Sequence, residues 1–167
     1  MTNLFKQHLT EFWAYLKDII LSATVYIALT ISFDINNIQQ FIITTSTHWV
    51  KLFSIFLAAS FGFYWNYFKQ NDSEFGEWLH WKGANKVYSR GFCYPIAIYI
   101  ITITLLIILS EYPNNKLANI TLLCMIYGTI LLASLFITIQ NFMNLMNLFR
   151  KIHRDESKSS ISDLTKT

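Results

Sequence analysis

The sequence predicts an all-α integral membrane protein: a four-helix bundle with both termini cytoplasmic and its fourth helix extended into the cytoplasm. Three observations lead there. The 167-residue chain is 53% hydrophobic and only 14% charged, whereas a soluble domain carries about 25% charged residues. The charges are segregated, so that residues 19–33, 52–68, 91–110 and 117–149 contain no Asp, Glu, Lys or Arg. The basic residues are divided very unequally between the segments that join these runs. A soluble helical core is excluded because too little polar surface remains to clothe it.

The spans are expected at about 13–33, 49–69, 92–110 and 117–139, since a crossing helix needs roughly 20 mostly apolar residues. Spans one and two reach that length with Trp13 to Lys17 and Trp49 to Lys51 placed in the interface, where Trp is at home and Lys can snorkel. No convincing signal-peptide cleavage site precedes Asp34, so the first run reads as a retained span. The segment 34–49 is rich in β-branched residues and is expected to lie along the outer surface. Between spans three and four, "EYPNNK" reads as a turn, with Pro113 ending the third span.

The fourth charge-free run covers 117–149, about 50 Å as a helix against a hydrocarbon core of about 30 Å. The excess is expected to project as a stalk over 140–149. The tail, 150–167, is basic and then polar, and is expected to be disordered.

Four crossings put both termini on one side. That side would carry Lys6, Lys17, Lys69, Lys82, Lys86, Arg90, Arg150, Lys151, Arg154, Lys158 and Lys166, leaving only Lys51 and Lys116 opposite. The bias places the termini and the 70–91 loop in the cytoplasm. The net charge of +3 is explained by this arrangement, and no direct nucleic-acid partner is expected. The Ile- and Asn-rich composition points to an AT-rich bacterial genome, and hence to the inner membrane.

Site chemistry is sparse. Ionisable residues within a bilayer usually mark ion or substrate paths, and these span assignments leave none at a span centre. Asp18 falls near the inner end of span one and Lys51 near the outer end of span two. His8, His48, His80 and His153 show no metal-ligand spacing. Cys93 and Cys124 lie at different depths and read as small packing residues. No phosphate loop or nucleophile elbow is present. The expectation is a protein without metal, cofactor or enzymatic activity.

What remains is packing and docking. Ala58 and Gly62 share one helix face, and Gly128 and Ala133 belong to a second small-residue patch. Such faces let helices approach closely in lipid, within one bundle or between subunits. Asn141, Asn144 and Asn147 recur every three residues in the stalk, as one wetted face or as a ring of Asn side chains in an oligomer. In the 70–91 loop, Phe75, Trp78, Leu79 and Lys82 follow helical spacing, Trp81 flanks them, and Gly83 is a stop signal. This segment is either an interfacial amphipathic helix or a docking surface for a cytoplasmic protein, with Lys82, Lys86 and Arg90 on its polar rim.

The plan, with the loop "SEFGEWLHWKGANKVYSR" and the stalk "NFMNLMNLFRKIHR", resembles the membrane subunit of the Kiwa anti-phage system. The likeness is architectural and transfers no individual site residue. It implies a small four-span protein that assembles and recruits a cytoplasmic partner. The expected function is therefore a membrane sensor or anchor in bacterial defence, oligomeric and bound to a cytoplasmic protein. The alternatives are an immunity protein against a pore-forming toxin and a homo-oligomeric pore.

Overall fold

The computed structural model describes the backbone of residues 2–164 and the side chains of residues 16–154. Five helices follow one another: α1 Thr2–Ser32, α2 Ile35–Gln70, α3 Glu74–Trp81, α4 Asn85–Glu111 and α5 Asn115–Leu164. Among the described residues there is no strand. Helices α2, α4 and α5 are long and apolar enough to cross a membrane, which marks a membrane protein. The side chains of the first half-turns of the expected span one, including Trp13 and Tyr15, lie outside the described residues.

Local chemistry sets the helix ends. Asp34 caps α2, its carboxylate accepting from the Asn36 N–H at 3.0 Å. Ser73 caps α3 through the Gly76 N–H at 3.3 Å, and Glu74 and Glu77 complement the positive end of that helix. Gly83, at φ +71°, ends α3. Its N–H donates to the His80 carbonyl and the Ala84 N–H donates to that of Leu79, closing a Schellman turn. The Asn114 side chain caps α5, accepting from the Lys116 N–H at 2.8 Å.

Two expectations about connections are corrected. The segment 34–49 is not a surface strap but the opening turns of α2, a single 36-residue helix. Its β-branched residues are accommodated because Ile42 and Ser46 face the core, while Thr44 and Thr45 bond back to the Gln40 and Phe41 carbonyls. The tail is not irregular either: α5 continues as one 50-residue helix to Leu164, and residues 165–167 lie outside the described set.

Helix α2 packs on α4 and α5, and α1 packs on α5. The upper core contains Ile42, Phe53, Tyr99, Leu106, Leu109, Leu122 and Met125. Phe53 and Phe56 each lie 6.1 Å, ring to ring, from Tyr99. A Cβ built on Gly128 would fall 2.8 Å from the Phe53 ring, so α5 reaches this layer only because residue 128 has no side chain. Near the turn that joins α4 to α5, the Gln39 amide donates to Asn119 at 2.9 Å.

These contacts seat α2 antiparallel beside α4. Phe53 meets Tyr99, and toward the other end Tyr67 meets Phe92 at 5.3 Å. Lys51, two residues from Phe53, is exposed on the side of α2 turned away from the core.

Candidate functional site

Below the upper core, a second cluster fastens α3 to the lower half of α5. It buries Tyr67, Phe75, Leu79, Phe92, Leu135, Phe142 and Phe149. Phe142 sits edge-on to Tyr67, Phe75 and Tyr88 at 5.4–5.6 Å. One helical repeat further on, Phe149 meets Phe75 at 5.5 Å and Trp78 at 5.6 Å. Edge-to-face pairs of this kind add to the burial of their apolar area. At the margin, the His153 imidazole comes within 3.9 Å of the Glu74 carboxylate.

Gly76 makes the close approach possible. A Cβ there would lie 2.2 Å from the Asn71 carbonyl oxygen and 2.5 Å from that of Gln70, against backbone that cannot move aside. Polar bonds lock the same corner: the Tyr67 hydroxyl donates to the Asn85 carbonyl at 2.9 Å, and the Asn85 amide donates to Asn71 at 3.0 Å. Sequence reasoning passed over Gly76, Tyr67 and Asn85. The only sequence signal was a glycine inside a short helical stripe, where glycine weakens a helix and so needs a packing reason.

The expected docking residues are thus divided. Phe75 and Leu79 are core residues, 4% and 2% exposed, and Trp78 is half-buried against Phe149. That is a correction: the apolar stripe of the loop is satisfied by the chain's own stalk. Trp81 remains 76% exposed, with the Lys82 ammonium 4.5 Å above its ring. Lys82, Lys86 and Arg90 are also exposed. On the stalk, Asn141, Asn144 and Asn147 all lie on the exposed side of α5, away from Phe142 and Phe149.

Between α1, α4 and α5 a cleft of about 500 Å³ opens beside this platform. Lys17, Asp18, Arg90, Tyr94, Ser134 and Asn141 are among its lining. The Ser134 hydroxyl donates to the Asp18 carboxylate at 3.1 Å, and the Tyr94 and Tyr127 hydroxyls meet at 2.6 Å. Asp18 therefore joins α1 to α5.

The expected helix-packing residues also separate. Gly128 is buried as described, whereas Ala58, Gly62 and Ala133 are exposed. A Cβ on Gly62 would meet nothing within 4 Å. Within one chain, then, Ala58, Gly62 and Ala133 pack nothing, because the core-facing positions of α2 are Ile42, Phe53, Ser60 and Tyr67. Gln40, Thr44, Thr47, Lys51, Ser54, Ala58 and Gly62 instead form one exposed stripe, an arc of about 80° on the side of α2 turned away from the core.

Cys93 is exposed, so it is not a packing residue, and Cys124 is partly buried. Among the described residues no group of three or more His, Cys, Asp or Glu side chains converges as a metal site would require. No protein-family model, curated protein or solved structure matches the chain.

Proposed function

We propose that this chain is a bacterial inner-membrane anchor that crosses the bilayer four times, self-associates, and presents the α3–α5 platform to a cytoplasmic protein. The observation that carries the reading is the aromatic clamp. It holds a short helix against the stalk, yet leaves Trp81 exposed with the Lys82 ammonium over its ring. A rigid, exposed Trp with a basic rim is what a protein-binding hot spot requires, since little side-chain entropy is lost on docking. Phe75 and Leu79 are already buried and Trp78 is half-buried, so interfacial tethering would rest on Trp81 and Val87.

The orientation rests on the lopsided basic residues, which put the platform and both termini in the cytoplasm. The fourth crossing is α1, whose Ile19, Ile20, Val25, Ile27 and Ile31 are exposed in the isolated chain, as lipid-facing residues would be. The architectural resemblance noted from the sequence suggests anti-phage defence as the setting in which a partner is recruited.

A photo-crosslinking amino acid at Trp81 tests the reading in living cells. A discrete adduct with one cytoplasmic protein is expected, absent when the same group stands at Ile107. Equal adducts at both positions, or lipid adducts alone at Trp81, would sink it.

A further inference from the structure

Helices α1 and α4 both pack on α5 but scarcely on each other, so the cleft of about 500 Å³ has two walls and a floor. That volume falls in the range of small-molecule sites, about 300–1,000 Å³. Its lining has two characters. Val87, Leu131, Ile137 and Leu145 give it apolar surface, while Lys17 on one wall and Arg90 on the other give it two cations. Asp18 also lines it and is engaged by the Ser134 hydroxyl at 3.1 Å. Among the described lining residues, two cations against one carboxylate leave a single positive charge. Gly91 and Pro95 belong to the α4 wall, and Pro95 has no N–H to give the Gly91 carbonyl. That wall therefore offers a backbone acceptor beside the Arg90 guanidinium.

The two cations also hold matching places in the sequence. Only Asp18 separates Lys17 from the charge-free run 19–33, and Arg90 is the last charge before the run 91–110. Each stands at the margin of an apolar length, which is where a bilayer keeps its phosphates. Basic pockets between spanning helices on the cytoplasmic side bind lipid head groups. Lys69 stands at the same kind of margin, just after the run 52–68, but does not line the cleft.

We propose that the cleft binds one phospholipid with a phosphodiester and a hydroxylated head. Lys17 and Arg90 hold the phosphate, Asn141 and the Gly91 carbonyl accept from the head's hydroxyls, and the apolar lining takes part of an acyl chain. A phosphodiester carries one negative charge and balances the cleft, whereas a phosphate monoester overcharges it and a zwitterionic head leaves its charge unmatched. The occupant is a lipid rather than a soluble anion, because a soluble anion would leave the apolar lining in contact with water. Bound there, the lipid joins α1 to α4, which the chain alone leaves apart.

The inference rests on the reading that these helices cross a bilayer, and adds a lipid-selective site to the anchor. Membrane insertion of the full chain is checked first by resistance to carbonate extraction, and a chain that washes off overturns both readings. The inserted chain, purified in a maltoside detergent, is then titrated with dihexanoyl phosphatidylglycerol, dihexanoyl phosphatidylcholine and glycerol phosphate, while melting temperature and the mass of retained adducts are followed. Phosphatidylglycerol should raise the melting temperature saturably, since it binds the folded chain, and should be retained as one molecule. The other two should bind at least tenfold more weakly. Lys17→Gln and Arg90→Gln should each weaken phosphatidylglycerol binding about tenfold, the loss of one charge-assisted hydrogen bond, and Lys69→Gln should not. Asp18→Asn keeps an acceptor for Ser134 and removes the negative charge, so it should tighten binding, an outcome that damage to the fold cannot mimic. Equal affinity for phosphatidylcholine, or an equal loss in Lys69→Gln, would reveal ordinary surface attraction and overturn the site. Equal binding of glycerol phosphate would overturn the lipid as its occupant. Inserted chain that retains no lipid would overturn the inference while leaving the Trp81 platform standing.

Discussion

Two glycines on different helices answer the same substitution differently, and the difference separates folding from assembly. Gly128→Leu drives a side chain into Phe53 and Tyr99. It should destabilise the monomer by about 1–3 kcal/mol, the usual range for overpacking, seen as a lower melting temperature in detergent. Gly62→Leu meets open space within the chain. Its melting temperature in detergent dilute enough to hold monomers should match wild type, while its oligomer band on native gels should weaken. Equal melting losses in both variants would show that Gly62 packs inside the chain. The Tyr99 hydroxyl is a third residue-scale case: it is fully buried without a hydrogen-bond partner among the described residues. An orphaned buried hydroxyl costs free energy, so Tyr99→Phe should melt at the wild-type temperature or above it. A clear fall would mean that the hydroxyl is satisfied in the assembled protein.

Between elements, the consequential contact is that of α3 with the lower half of α5. Helix α3 has eight residues, too few to hold together without packing. Its order comes from Phe75 and Leu79 inserting among Phe142, Phe149 and Phe92. Phe149→Ala removes the partner of both Phe75 and Trp78, a loss of about 3 kcal/mol by analogy with buried Phe truncations. Hydrogen exchange over residues 74–81 should then accelerate while the Tyr99 layer stays protected. Gly76→Ala should produce the same local signature by a steric route. If either variant loosens the whole bundle equally, α3 is continuous with the main core rather than a clamped appendage. The sequence showed part of this. The stripe Phe75, Trp78, Leu79 and the stop at Gly83 were legible because they follow helical periodicity and a turn rule. What covers the stripe was not, since the partner residues 142 and 149 lie about seventy positions away in the chain.

For the molecule as a whole, orientation is the property on which the functional reading depends. The uneven basic residues predict that Ser73→Cys, in a background lacking Cys93 and Cys124, resists membrane-impermeant thiol reagents in intact cells. Asn114→Cys should react. Labelling of Ser73→Cys without lysis would put the platform outside and remove the cytoplasmic partner.

The all-helical class and the apolar spans belong to the sequence alone, because they depend on quantities summed along a chain: the length of charge-free runs, helical periodicity and charge balance. Helix caps and the stop at Gly83 belong there too, since they involve neighbours within a few residues. Only the tertiary structure decided which side chains of α2 face the core and which face outward. Hydropathy places a span to within a turn or two, because Trp, Thr and Lys are tolerated near an interface. The seating of Phe53 against Tyr99 and Gly128 fixes which face of α2 turns to the core, because close-packed rings leave little freedom of rotation. The same limit explains the small-residue stripes. Gly128 and Gly62 are alike as sequence, and only the presence of Phe53 beside the first and of nothing beside the second distinguishes a core contact from an open surface.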